Sequence, residues 1–288
     1  MEARDRPIKD WLTKIRTRQM VLPRFQRYEA WGAREVSDVL SSIIRDLPIG
    51  SALILAVGDD IPFKHRQLVG APSHGERITE LLLDGQQRLT AVWRALKDNY
   101  DDKSYLVDLK PEDEDRDDGD VRVVAQGRWS RNGKRYPVWL DKPKQCWQRK
   151  MVPVRLLDPD NSEGYQRWAD DASEGDDAKA RKIERIISQL REKVANFNFP
   201  FLYLPVATPS DVAIEVFIKL NTNVVPLRPF DIVVAQLEEA TGENLRELLG
   251  SLTRSAPAIS DYTDPSTSCS RYQHCCRAGC PTRGDSSA

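Results

Sequence analysis

Apolar residues recur at helical spacing in three stretches of the chain. Residues 8 to 18 carry apolar side chains on one face, which predicts a short first helix. Residues 36 to 47 form a stronger amphipathic stripe, and Pro48 with Gly50 is expected to end that helix. Residues 176 to 195 repeat the pattern and predict a third, longer helix.

Short runs of consecutive apolar residues alternate with these helical stretches. Residues 21 and 22, 52 to 57, 81 to 83 and 199 to 206 each predict a strand, while residues 58 to 78 predict a polar loop. Strands that alternate with helices in this way indicate an α+β domain. We therefore expect a small mixed sheet with a helical segment after it.

One strand-to-helix junction gathers polar residues. The segment Asp84-Gly85-Gln86-Gln87-Arg88-Leu89-Thr90 follows an apolar run, and the residues after it return to helical spacing. Gly85 allows the backbone to turn sharply, and a helix start offers free N–H groups and a positive dipole end that suit an anion. Arg88 falls in the first turn, where a cation opposes the dipole. A phosphate or carboxylate at the same site would explain that arginine.

Local chemistry leaves two interpretations of this junction open. In the structural one, Arg88 pairs only with Asp84, and Gln86 and Gln87 are solvated. In the functional one, Arg88 binds an anion, while Asp84 holds a metal ion, orients a water or pairs with an arginine. Strand–turn–helix junctions of this kind are common, so the junction alone favours the structural interpretation.

Composition limits the class of protein. The chain has 288 residues, of which 40% are hydrophobic and 30% charged, and its net charge is −1, which is typical of a globular protein with no general attraction to nucleic acid. No apolar run is long enough to predict a membrane-spanning helix, and no apolar signal segment follows Met1. Of the five cysteines, only Cys146 lies outside the last twenty residues. A cytoplasmic location is the natural expectation.

Charge is segregated in the middle of the chain. Residues 111 to 120 are strongly acidic, whereas residues 128 to 155 carry nine Lys or Arg and one acid. The basic stretch also contains Trp129, Tyr136, Trp139 and Trp147. Basic residues with aromatics can hold single-stranded nucleic acid. The favoured alternative is a β-hairpin around Asn132-Gly133 with aromatics inward and cations solvated.

The C-terminal third predicts two more helices and then a tail. Thr208 and Pro209 are typical of a helix start, and helices are expected over residues 210 to 220 and 229 to 240. After about residue 250 the apolar periodicity disappears, so the tail cannot bury enough surface to fold.

We divide the chain into a core over residues 8 to 160, its helical continuation over 161 to 250, and a tail over 251 to 288. The tail is expected to be disordered, or to be the product of translation in the wrong frame.

Three sequence blocks carry a resemblance to a known family. They are Leu22-Pro23-Arg24-Phe25-Gln26-Arg27-Tyr28, the segment Asp84-Gly85-Gln86-Gln87-Arg88-Leu89-Thr90, and the block from Phe217 through Asn221 to Asp231. Together, in this order, they resemble the GmrSD restriction-endonuclease N-terminal family, also called domain of unknown function 262. Members often have Gly where Val224 stands, so the last loop differs here.

The resemblance implies a ParB/sulfiredoxin-like core and NTP-dependent control of DNA cutting in bacterial defence against phage or modified DNA. It implies that Arg27 and Arg88 bind phosphate oxygens and that Asp84 binds Mg²⁺ or orients the attacking water. The remaining candidates position water or phosphate, or line the same cleft: they are Gln26, Gly85, Gln86, Gln87, Asn221 and, more remotely, Asp231. We expect both arginines to converge on one cleft.

Many relatives join this domain to an HNH-type nuclease half, for which this sequence offers no His-Asn-His pattern. The resemblance therefore implies a nucleotide-binding and hydrolysing module of a restriction system, acting with NTP and Mg²⁺, with DNA and with a separately encoded nuclease subunit. The alternatives are a non-catalytic module that senses nucleotide or DNA, or a truncated inactive remnant.

Overall fold

The computed structural model describes residues 1–26, 29–109, 121–221 and Ser255. The strands of this part of the chain are β1 (Glu2–Pro7), β2 (Met20–Pro23), β3 (Ala52–Ala56), β4 (His65–Arg66), β5 (Glu80–Asp84), β6 (Lys103–Asp108), β7 (Arg122–Gly127), β8 (Trp129–Arg131), β9 (Lys134–Tyr136), β10 (Met151–Pro153) and β11 (Asn198–Leu204). Its α-helices are α1 (Ile8–Arg16), α2 (Ala33–Ile44), α3 (Gln86–Leu96), α4 (Pro143–Gln148), α5 (Ser162–Ser173), α6 (Asp177–Asn196) and α7 (Ser210–Asn221). Two 3₁₀-helices cover Val138–Asp141 and Val154–Leu157.

The largest sheet is mixed, with the strand order β1-β11-β3-β5-β2-β4. Strand β11 pairs antiparallel with β1 and parallel with β3, while β5 pairs antiparallel with β3 and parallel with β2. Smaller antiparallel sheets are formed by β10-β6-β7 and by the β8-β9 hairpin. The predicted α+β class with a mixed sheet and helices is confirmed.

The apolar stripes predicted from the sequence form the core around this sheet. Helix α1 buries Trp11, which packs on Phe199 and Phe201 of β11 at centroid distances of 5.4 and 5.2 Å. The stripe of α2 is buried along its length, and the apolar residues of β3 and β5 are buried as well. The strand–turn–helix junction from β5 into α3 therefore starts from a rigid, buried strand.

Contacts divide the chain into two compact units. The first comprises Met1–Leu22, Arg27–Gly58 and Arg66–Ala207, and it contains α1 to α6. The second comprises Pro23–Gln26, Asp59–His65 and Thr208–Ala288. Within its described residues, Phe25 packs edge-on against Phe63 at 5.4 Å and lies 5.6 Å from Phe217 of α7.

Several predicted elements appear with small changes in their bounds, and one expectation is confirmed only in part. The hairpin around Asn132-Gly133 is present as β8 and β9. Of the aromatics expected to point inward, Trp147 is buried and Trp139 packs against the core, whereas Trp129 is 58% exposed. The helix over residues 229 to 240 and the tail over 251 to 288, Ser255 aside, lie outside the described residues. The division at residue 160 stays a prediction. In the described part of the chain, no helix has the length and apolar character needed to cross a membrane.

Candidate functional site

Asp84 is the last residue of β5, at the point where the sheet becomes irregular. Leu53 of β3 pairs with Asp84, whereas the next residue, Ile54, pairs with Leu82, so the register shifts between the two pairs. Such irregularities re-aim side chains and are frequent beside functional sites. The Asp84 carboxylate is half-buried, and no hydrogen bond or ion pair joins it to another side chain in the described part of the chain.

Gly85 makes the turn that the sequence predicts. Its φ of 92° and ψ of 4° lie in the left-handed region, which an L-residue with a Cβ adopts only at a cost. A Cβ here would also lie 3.0 Å from the Cβ of Ala52 in β3. The glycine is therefore required both by the backbone conformation and by the close approach of the neighbouring strand.

Helix α3 begins immediately after this turn and has no side-chain cap. Its N-cap is Gly85, its first turn contains no acidic residue, and its first backbone bond runs from the Leu89 N–H to the Gly85 carbonyl at 3.1 Å. The positive end of the helix dipole therefore meets no anionic side chain within the first turn, and the one charged residue there is the cation Arg88.

Arg88 turns away from Asp84. Its Nη1 donates to the Ser51 carbonyl at 2.8 Å, and its guanidinium lies so close to Gly50 that a Cβ on that residue would be 3.2 Å from Nη2. The structural interpretation, in which Arg88 pairs only with Asp84, is wrong: no ion pair joins the two among the described residues. A guanidinium has five N–H donors, and the Ser51 carbonyl uses one of them.

The two glutamines of the junction are placed differently from each other. Gln86 is 7% exposed, so it is not solvated as the structural interpretation assumed. Gln87 is half-buried, and its Oε1 accepts a hydrogen bond from the Ala30 N–H at 3.0 Å. Gln87 therefore fixes the chain segment that follows the Gln26-Arg27 block against α3.

A second anchor lies two helical turns further along the same side of α3. Arg94 pairs with the Glu29 carboxylate, and both side chains are largely buried. The Tyr100 hydroxyl donates to Glu29 at 3.1 Å. Burial, followed by the nearby Glu29 charge, raises the pKa of Tyr100, so the hydroxyl remains a donor. Residues 29 and 30 are thus held by three side-chain contacts, two from α3 and one from Tyr100 beyond its end.

The remaining predicted site residues are not placed beside this turn by the described structure. Gln26 is 6% exposed and belongs to the second contact unit. Arg27 and Asp231 lie outside the described residues, as does the side chain of Asn221, the last residue of α7. The expected convergence of Gln26 and Arg27 with Asp84 and Arg88 stays a prediction.

Sequence reasoning missed the residues that complete the junction from elsewhere in the chain. Ser51 and Gly50 supply the surface on which the Arg88 guanidinium lies, and Glu29 and Ala30 are held by α3. Only Gly50 had a sequence signal, as part of the predicted end of α2. The others are common residue types that acquire a role through tertiary placement.

The junction has the donors for an anion and one ligand for a cation. Helix N–H groups and a guanidinium suit phosphate oxygens. Mg²⁺ is commonly held by one or two carboxylates together with substrate phosphates and water, so the single carboxylate of Asp84 fits that mode. Within the described residues no group of three His, Cys, Asp or Glu side chains forms a metal cluster, so a cage built from protein ligands alone does not fit there.

The chain is similar to known proteins over most of its length. A protein of Methanocaldococcus jannaschii, itself uncharacterised, is 24% identical in an alignment 248 residues long that covers 79% of this chain. The chain spans 40% of the length of that relative. The family described as the GmrSD restriction endonuclease N-terminal domain matches residues 8–238, which includes the Asp84–Arg88 junction, α3 and all strands of the main sheet except β1. The chain belongs to the GmrSD restriction endonuclease N-terminal domain family.

Proposed function

We propose that this chain is a nucleotide-binding and hydrolysing module of a DNA restriction system, with its site at the Asp84–Arg88 junction. The observation that carries the proposal is a half-buried carboxylate and a guanidinium in one strand-to-helix turn that do not pair with each other. Membership of the family supports the restriction context.

The placement of the charges supports a phosphate ligand with a divalent cation. Arg88 lies where the helix dipole disfavours a cation, and a bound anion would remove that conflict. Asp84 would repel a phosphate at close range, and a Mg²⁺ ion between the two would turn that repulsion into attraction. A nucleoside triphosphate with its Mg²⁺ ion supplies both partners in one ligand.

Each residue of the junction has a distinct role in this proposal. Arg88 binds phosphate oxygens while its bond to the Ser51 carbonyl keeps the guanidinium oriented. Asp84 holds Mg²⁺, which when bound would neutralise charge on the phosphates. Gln86 positions the phosphate or a water without adding charge, and Gln87 orders the segment at residue 30. The family resemblance assigns nucleotide binding to Gln26, Arg27 and Asn221 as well.

Calorimetry on the full chain tests the proposal. Titrations with ATP, GTP, CTP and UTP, each with and without Mg²⁺, should show Mg²⁺-dependent binding of at least one nucleotide. Asp84→Asn should abolish the Mg²⁺ dependence because it removes the charge and keeps the shape. The matched control is Asp38→Asn, which changes an Asp on α2 whose side chain is 72% exposed.

Phosphate release separates hydrolysis from nucleotide sensing. Release that depends on Mg²⁺ and disappears in Asp84→Asn supports an enzyme, whereas binding without release supports a sensing module that acts on a partner such as a separately encoded nuclease. Absence of binding by all four nucleotides, or equal Mg²⁺ dependence in Asp84→Asn and the native chain, would overturn the proposed site.

A further inference from the structure

The β8–β9 hairpin carries four cations and no acid over residues 128 to 136. Asn132 and Gly133 form its turn, and both have positive φ, of 51° and 72°, as a tight two-residue hairpin turn requires. Its cross-strand pairs are Trp129 with Tyr136, Ser130 with Arg135, and Arg131 with Lys134.

This pairing separates the side chains of the hairpin into two faces. Side chains alternate along a strand and cross-strand partners share a face. Trp129 and Tyr136 therefore lie on the same face as Arg131 and Lys134. Arg135 lies on the opposite face.

The opposite face is the one directed at the body of the first unit. Arg135 Nη1 lies 3.4 Å from the Asp141 carboxylate and 3.7 Å from that of Asp98. The face with the aromatic pair and the two other cations is consequently directed away from these acids. Arg131 and Lys134 are exposed, and in the described part of the chain neither side chain forms a hydrogen bond or an ion pair.

The aromatic pair on the outer face is stacked and accessible. The rings of Trp129 and Tyr136 are 6.0 Å apart with an interplanar angle of 14°, and Trp129 is 58% exposed. Among the described tryptophans it is the one with a large exposed surface. A ligand ring that stacks on this indole would bury its apolar surface and gain the free energy of that burial.

The base of the hairpin is held rigidly. The Arg128 guanidinium donates to the Asp98 carboxylate at 2.8 Å and to the Ser104 hydroxyl at 2.9 Å, and its side chain is only 9% exposed. The Arg128 N–H also donates to the Asp102 carbonyl at 2.7 Å. A ligand that binds the outer face therefore meets a preformed surface, which lowers the entropy cost of binding.

We propose that the outer face of this hairpin binds a nucleic-acid strand with unpaired bases. A base stacks on the exposed indole of Trp129, and Arg131 and Lys134 bind the backbone phosphates that flank it. Alternate residues on a strand are about 6.8 Å apart, so the stacking surface and the cations contact neighbouring groups of one strand. A duplex would offer phosphates to the cations but no free base face to the indole. This surface is separate from the Asp84–Arg88 junction, and the inference does not depend on nucleotide binding there.

Fluorescence anisotropy with labelled 20-nucleotide DNA and RNA strands, and with the matching duplex DNA, tests the inference. Both single strands are to be titrated, because DNA and RNA share the stacking and phosphate chemistry. We expect at least one single strand to bind more tightly than the duplex. Trp129→Ala should weaken that binding about 5- to 150-fold, the loss expected for one stacked base, while Trp129→Phe should keep most of it.

The cations are tested through the salt dependence of binding. Arg131→Gln with Lys134→Gln should reduce the slope of log Kd against log salt by about 1.4, since each phosphate contact to a single strand contributes about 0.7. The matched control is Arg181→Gln with Lys182→Gln, which removes the same charges from exposed positions on α6.

Three results would overturn the inference. The first is duplex binding as tight as that of both single strands. The second is an unchanged affinity of the Trp129→Ala variant for the single strand. A thermal melt of the same variant checks that it is folded. The third is equal competition by polyglutamate, which would assign the surface to acidic peptides. Loss of strand binding in Trp129→Ala with nucleotide titrations unchanged would separate this surface from the junction site.

Discussion

Replacing Arg88 by alanine separates a ligand-binding arginine from a structural one. In the folded chain the substitution removes one hydrogen bond, from Nη1 to the Ser51 carbonyl at 2.8 Å. A hydrogen bond of this kind contributes about 0.5–1.5 kcal/mol net, and the half-buried position of Arg88 favours the lower end of that range. We therefore expect the free energy of unfolding to fall by less than about 1 kcal/mol.

The loss of nucleotide affinity should be larger. A charge-assisted hydrogen bond to a phosphate contributes about 1.5–3 kcal/mol, which corresponds to a rise of about 10- to 150-fold in Kd. Calorimetry gives Kd, and urea unfolding of the same samples gives the stability. Arg88→Lys should recover part of the affinity because it keeps the charge but not the planar fork.

The control for this pair of measurements is Arg34→Ala on α2, whose side chain is 90% exposed and should affect neither quantity. If Arg88→Ala leaves Kd unchanged and lowers the free energy of unfolding by several kcal/mol, the guanidinium stabilises the loop at Ser51 and has a structural role. The assignment of phosphate binding to Arg88 would then be wrong.

Two further predictions concern the strand that supports the junction. Gly85→Ala should lower the free energy of unfolding by about 2–5 kcal/mol in urea, because the left-handed backbone disfavours a Cβ and that Cβ would lie 3.0 Å from Ala52. The control is Gly127→Ala, where a Cβ would meet nothing within 4 Å, and it should change stability by less than about 0.5 kcal/mol. Equal effects of the two substitutions would contradict this reasoning. Glu80→Gln should cost about 3–5 kcal/mol in urea unfolding, because it removes the largely buried charge that pairs with Arg6 and Lys14. It also replaces one of the two oxygens that accept 2.8 Å bonds from Arg6 by an N–H donor. A loss below about 1 kcal/mol would show that the charge is not needed.

The sequence pattern predicted the helix that buries one face and the strands whose residues are nearly all buried. The apolar stripe of α2 and the apolar runs of β3 and β5 are visible because hydrophobic burial requires them. Strand β1 was missed because its residues are mostly charged and exposed; it pairs at the edge of the sheet, where charged side chains are tolerated. Strand β6 was missed because its short apolar run is followed by an acidic segment, which is typical of a loop.

The sequence predicted the residues of the junction itself but not their hydrogen-bond partners elsewhere in the chain. Asp84 and Gly85 lie where strand and helix periodicity meet, and Gly85 has the conformation that its residue type suggests. The partner of Arg88 is the Ser51 carbonyl, a backbone group that any residue provides, so no side-chain pattern indicates it. The same holds for Gln87, which accepts from the backbone of Ala30.

The arginines of this chain differ in how many of their donors are used within the fold. Arg191 donates to three backbone carbonyls, those of Leu156, Asn161 and Pro159, at 2.7 to 3.2 Å. Arg6, Arg94 and Arg128 each bind a largely buried carboxylate. A buried guanidinium is stable only when its donors are used in this way. The Arg88 side chain makes one hydrogen bond and the Arg131 side chain makes none within the described residues. Arg88 lies in the same turn as a half-buried carboxylate, and Arg131 lies on the same hairpin face as an exposed indole. We therefore propose phosphate ligands at these two places and not at the better-bonded arginines.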